Sequence, residues 1–186
     1  MAVTYNFVNE NPIDQGADWY AYFQYNQPAE ITNVSGNGTT VTFTAVNGFT
    51  PGQTVSITGI IPNVYNFQNV TVVNATSSYF TVTNPATGVY ISGGIAYAPV
   101  NLTNYSAELQ VRSLPSDPTS VLTLSTTNGA ITITALTGEI TCHATATQTR
   151  NIDEGTYYYD IEITSSGGIV TRIAQGQVLV SPEVTR

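Results

Sequence analysis

Residues 31–107 read ITNVSGNGTTVTFTAVNGFTPGQTVSITGIIPNVYNFQNVTVVNATSSYFTVTNPATGVYISGGIAYAPVNLTNYSA, and none of these 77 residues is Asp, Glu, Lys, Arg or His. The stretch is still not a membrane segment, because Thr, Asn, Ser and Gly interrupt every apolar run and a spanning helix needs roughly 20 predominantly apolar residues. Within it, Thr39–Ala45, Thr54–Thr58, Asn69–Val73, Tyr79–Thr83 and Ile95–Ala98 are short runs rich in Val, Thr, Ile and Phe. Gly36-Asn37-Gly38, Pro51-Gly52 and Gly93-Gly94 separate them as turn signals. Short, evenly spaced strands of this kind predict a small antiparallel sandwich or barrel.

Working outward, the flanks carry all of the formal charge. Thr4–Val8 reads as a first short strand, Pro12–Gly16 as a turn, and Trp19–Tyr25 as an aromatic strand. Alternation puts Trp19, Ala21, Phe23 and Tyr25 on one face of that strand, and Tyr20, Tyr22 and Gln24 on the other. Asn26-Gln27-Pro28 breaks it. On the far side, Tyr105–Arg112 alternates with Tyr105, Ala107, Leu109 and Val111 inward. Val121–Leu124 and Ala130–Thr134 read as a hairpin across Asn128-Gly129, His143–Ile152 as one or two turns of helix, and Ile169–Val180 as the last strand. Tyr157, Tyr159, Ile161 and Ile163 share one strand face.

Two strands alone are rarely stable, so the N-terminal segment must pair with the C-terminal one. Residues 1–28 and 99–186 are therefore expected to form one discontinuous β-sandwich, with 29–98 inserted at a loop as an uncharged small β domain. Closure entropy makes such an insertion cheap.

Composition excludes several functions. Twelve acidic residues face four arginines (Arg112, Arg150, Arg172 and Arg186), for a net charge of −8, which argues against nucleic acid, since phosphate contacts need Lys and Arg clusters. The N-terminus has neither a basic nor an apolar leader region, so no signal peptide is expected. One cysteine, Cys142, gives no internal disulfide, and with the single His143 it is too few for zinc. The two are adjacent, so on an extended strand they face opposite ways and cannot form a dyad. Asp160 and Glu162, two apart on a strand and so roughly 7 Å apart, suit either a glycosidase pair or a solvated face. Asp14 and Asp18, flanking a glycine turn, could contribute oxygen ligands to calcium, but no loop of alternating ligands follows them. No cofactor or metal is assigned, and catalysis is not expected.

What remains is surface. A neutral β module lacks the charged residues that keep sheet edges apart, which favours a protein packed against copies of itself or partners. Tyr20 and Tyr22, with the loops near Asn47-Gly48 and Asn63-Val64-Tyr65, are the candidate contact residues; Asn47 and Tyr65 represent those loops.

Ile13-Asp14-Gln15-Gly16-Ala17-Asp18-Trp19, Val100–Ala107 and the C-terminal GTYYYD and GIVTRIAQGQVLV runs together resemble small β-sandwich proteins encoded among tail genes of tailed bacteriophages, similar to the N-terminal domain of upper baseplate proteins. In that pattern no insertion separates the first two segments, so 29–98 departs from it. The insert, with GNGTTVTFTAVNGFTPGQTVSITG and SSYFTVTNPATGVYISGG, is similar to small β repeats of phage tail and fibre proteins. The resemblance implies an immunoglobulin-like sandwich and a non-enzymatic virion protein of the tail, baseplate or neck. It implies a multi-copy, homo-oligomeric subunit assembled in the host cytoplasm, docked on other virion proteins and touching neither nucleic acid nor membrane. The alternative is a head-decoration or fibre-type protein whose insert binds host glycans through Tyr65, Tyr79 or Tyr90.

Overall fold

A computed structural model describes Val3–Thr4, Phe7 and residues 11–184. The chain divides into two compact units, Met1–Tyr25 with Asn101–Arg186, and Asn26–Val100. Of the expected first strand Thr4–Val8, residues 5, 6 and 8 lie outside the described set. Val3–Thr4 is strand β1, and Phe7 forms an isolated bridge to Val178.

Strands β2 (Ile13–Asp14) and β3 (Trp19–Gln24) complete the N-terminal part of the first unit. The chain then enters the second unit directly through β4 (Asn26–Gly36), so Asn26-Gln27-Pro28 is strand and not a breaker. The expected boundaries at 28 and 99 move to 25/26 and 100/101. Pro28 is tolerated because residues 26–30 of β4 ladder on one side only, with Pro28 opposite Tyr97, and a proline's missing N–H costs nothing on an unpaired side.

The second unit continues with β5 (Thr40–Ala45), β6 (Thr54–Thr58), β7 (Phe67–Ala75), β8 (Tyr79–Thr83) and β9 (Ile95–Pro99). These close into a barrel in the order β4-β5-β8-β7-β6-β9. Alternation explains the filling: Val41, Phe43 and Ala45 point inward from β5, and Phe80 and Val82 from β8. Phe43 stacks on Phe80 at 4.9 Å, and Phe49 meets Phe80 edge-on at 5.2 Å, arrangements that aromatic quadrupoles favour.

The first unit resumes with β10 (Ser106–Arg112), β11 (Leu122–Ser125), β12 (Ile131–Thr134), β13 (Glu139–Ala144), helix α1 (Ala146–Arg150), β14 (Gly155–Thr164) and β15 (Val170–Ser181). It is an immunoglobulin-like two-sheet sandwich. One sheet runs β1-β15-β14-β10-β11, with β2 also on β15; the other runs β12-β13-β3. Its pairings are antiparallel except those of β1, β2 and the Phe7 bridge, which run parallel to β15. The core lies between the sheets, where Phe7 stacks on Tyr159 at 5.0 Å and meets Trp19 and Phe23 edge-on.

Two expectations change here. The hairpin across Asn128-Gly129 does not form: β11 pairs with β10 and β12 with β13, in different sheets. The Asn128 side chain accepts from the Ser125 and Ala130 N–H groups, turning the chain from one sheet to the other. The helix is shorter than His143–Ile152, since His143 and Ala144 finish β13. Thr145 then caps α1 in a reciprocal capping box with Gln148, and the buried Thr149 hydroxyl donates to the Ala17 carbonyl at 2.8 Å.

Candidate functional site

Tyr20 and Tyr22 are presented as the alternation of β3 requires, with Trp19, Ala21 and Phe23 buried behind them. Tyr22 is 71% exposed. The register sets Tyr20 opposite His143 on β13. Their rings stack at 4.4 Å and 6° between planes, while Tyr20 and Tyr22 stack at 6.3 Å. Asp18 Oδ2 lies 3.4 Å from His143 Nε2, near enough to pair with a protonated imidazole; that nitrogen makes no hydrogen bond among the described residues. Asp18 Oδ1 accepts from the Ala146 N–H at 2.6 Å.

The calcium arrangement considered for Asp14 and Asp18 is not formed. Asp14 accepts from the Ser181 hydroxyl, away from the partners of Asp18, and among the described residues no group of three or more His, Cys, Asp or Glu is placed to hold a metal. Cys142 points into the core, and burial pushes its thiol up to about 12, while His143 faces outward. The two side chains diverge as strand geometry requires.

The structure buries Asn47 and Tyr65, the residues expected to represent contact loops. The Asn47 side chain turns inward, donating to the Ala45 carbonyl at 2.8 Å and accepting from the Phe49 N–H at 3.1 Å, and so braces its own loop. Tyr65 is 0% exposed and its hydroxyl donates to the Gly88 carbonyl at 2.7 Å. It sits in a 3-10 turn, Asn63–Tyr65, where its amphipathic ring spans the barrel interior and its polar tip secures a loop. Tyr90 is also engaged, its hydroxyl reaching the Ile31 and Gly93 carbonyls at 3.2 and 3.1 Å.

The side chains these tyrosines leave outside are apolar. The segment through Val89–Ser92 lies against the segment that precedes the 3-10 turn, with Ile91 N–H donating to the Ile61 carbonyl at 2.9 Å and Ile61 bridged to Ser92. Gly93, at φ +74°, lets the strands meet: a Cβ there would stand 2.6 Å from the Gly59 carbonyl oxygen. Ile61, Val64, Val89 and Ile91 are all exposed, Val89 at 82% and Ile91 at 70%. Val64 and Tyr65 both approach Gly88, which sets Val64 beside the start of the Val89–Ile91 run. Val89-Tyr90-Ile91 alternates in the sequence, but alternation alone does not say which phase faces inward; the larger Tyr90 went in and the aliphatics stayed out.

Asp160 and Glu162 share the outward face of β14, and Arg172 holds both, Nε to Asp160 Oδ2 at 3.0 Å and Nη2 to Glu162 Oε1 at 3.3 Å. Partial burial of the Asp160 carboxyl raises its pKa, with Arg172 pulling in the opposite sense. One guanidinium thus bridges the two carboxylates, a single positive charge between two negative ones. No protein-family model matches the chain, and no curated protein is significantly similar to it.

Proposed function

We propose that the chain is a non-enzymatic structural subunit of a tailed-phage virion, in its tail, baseplate or neck, present in several copies and docked on symmetric partners. The observation that carries this reading is the barrel surface. Glu30 is the one charged residue between Asn26 and Val100, and Ile61, Val64, Val89 and Ile91 are exposed aliphatic side chains of that unit. Exposed aliphatics without charges to hold copies apart support an interaction surface. The stacked Tyr20 and Tyr22 add a second exposed aromatic set, of the residue type enriched at interfaces. The sequence resemblance supplies the virion context. The reading of the insert as a glycan binder gains no support from Tyr65, whose ring is enclosed, or from Tyr90, whose hydroxyl is occupied.

Light scattering on the purified chain at low and high salt tests this. A defined oligomer at both salts is expected, because contacts across an uncharged surface are little screened. The double substitution Val89→Asp with Ile91→Asp should shift it toward monomer with the melting temperature retained. Monomer at every concentration, together with absence of the chain from purified particles by mass spectrometry, would overturn the reading.

A further inference from the structure

The outward face of the larger sandwich sheet forms a hollow lined mainly by polar residues where three strands meet. Register aligns its side chains in cross-strand rows. Gln110, Asp160 and Gln175 form one, while Glu108, Glu162 and Arg172 form the next; register partners stand on the same side of a sheet. Arg112 opposite Tyr158 makes a third row. Arg172 and Gln175 are three apart and would face opposite ways on a regular strand. A bulge opposite Ile161 and Glu162 turns both Ile173 and Ala174 inward and returns the two polar residues to one face. Their side chains then meet, Arg172 Nη1 donating to Gln175 Oε1 at 3.3 Å. The loop after β10 walls one side, where Arg112 donates to the Asp117 carbonyl and Asp117 Oδ2 accepts from the Leu114 N–H at 2.8 Å. The enclosed space is an open cavity of about 800 Å³, within the size range of ligand sites.

Its chemistry selects among ligands. Four carboxylates, Glu108, Asp117, Asp160 and Glu162, outnumber two arginines, so a phosphate or other anion is repelled. A free cation would have to share Asp160 and Glu162 with Arg172, which already binds both. For apolar ligands the side chains are chiefly Pro115, Pro118 and the Tyr158 ring, scattered among charged groups. What the cavity does offer is an array of planar groups, amides, guanidinia and carboxylates, held by their neighbours. Gln110 donates to Glu108 at 2.5 Å and accepts from Arg112 at 2.5 Å, which pre-orients both donors and acceptors and lowers the ordering cost of binding. Vicinal hydroxyls, each donor and acceptor at once, are the complement of such an array, and the Tyr158 ring can take a sugar's C–H face.

We propose that this hollow on the sandwich is a saccharide-binding site for a neutral oligosaccharide. The site is independent of the barrel and of the docking surface proposed above.

The test uses the full chain on a neutral-glycan array, followed by NMR titration with the best-retained oligosaccharide. Saturable binding is expected, with amide shifts at Tyr158, Asp160 and Gln175. Gln175→Ala and Tyr158→Ala should each weaken it about tenfold while the melting curve is unchanged, and Val89→Asp on the barrel should leave affinity as it was. Raised salt should change it little, since the ligand is uncharged. No retention of any neutral glycan would overturn the proposal, as would binding indifferent to both sandwich variants or abolished by Val89→Asp. Release of reducing sugar would also overturn it, since the site would then be hydrolytic and not a binding site.

Discussion

Tyr65 separates a buried strut from a contact residue, and Tyr65→Phe is the substitution that tests which it is. The ring is retained, so no cavity opens; what disappears is the hydroxyl that donates to the Gly88 carbonyl at 2.7 Å. A net hydrogen bond is worth about 1 kcal/mol, and leaving a partly buried carbonyl unpaired raises the cost toward about 2 kcal/mol. In a unit the size of residues 26–100, each kcal/mol lowers the melting temperature by about 4–8 °C. Calorimetry of the whole chain should therefore show the barrel's transition about 5–15 °C lower. Tyr65→Ala removes the ring as well, and comparable core truncations cost about 3–5 kcal/mol. That is much of the roughly 4–11 kcal/mol such a unit possesses, at about 0.05–0.15 kcal/mol per residue, so the barrel should melt far earlier or fail to fold. Self-association of Tyr65→Phe should persist below its melting point. An unchanged melting temperature together with loss of the oligomer would refute the strut assignment and place Tyr65 at a contact.

Three further outcomes are expected. Cys142, buried and with its thiol pushed up to about 12, should not react with a thiol reagent at pH 8 until denaturant is added; fast labelling of the native chain would contradict its place in the core. Asp160 has a folded pKa above 3.8, chiefly because burial disfavours its charged form. In the window just above 3.8 the folded state thus holds more protons than the unfolded one, and this group's contribution to stability falls as pH rises through that window. Urea melts between pH 3.5 and 6 should show that the decline is flatter in Asp160→Asn than in the parent, and an identical slope would exclude the shift. Thr145→Ala removes the capping box of α1 and should cost about 1 kcal/mol by denaturant titration, whereas no loss would mean the Thr149 anchor alone holds the helix.

Much of the barrel was legible because its strands are short runs of β-branched and aromatic residues between turn residues. Thr54–Thr58 and Tyr79–Thr83 are strands with those bounds. The faces of β3, β10 and β14 were legible too, since a period of two assigns every second residue to the core once one large apolar residue is placed. β4 was not, because Pro28 imitates a break; whether a proline ends a strand depends on whether its missing donor faces a neighbour, which is a property of the sheet. The hairpin at Asn128-Gly129 failed for a similar reason: a turn signal states that the chain reverses, and only the neighbours of each strand decide whether its two arms pair.

The candidate surfaces divide along the same line. Exposure of Tyr20 and Tyr22 follows from alternation beside Trp19 and Phe23, and the unequal distribution of charge between the two units is written in composition alone. The enclosure of Tyr65, the exposure of Val89 and Ile91 around Tyr90, and the meeting of Arg172 with Asp160, Glu162 and Gln175 are tertiary. Each depends on register between segments far apart in the chain, or on a bulge that reverses the parity of a strand. Local sequence sets the period of a strand, while its phase and its neighbours are settled by packing against partners that the local sequence does not contain.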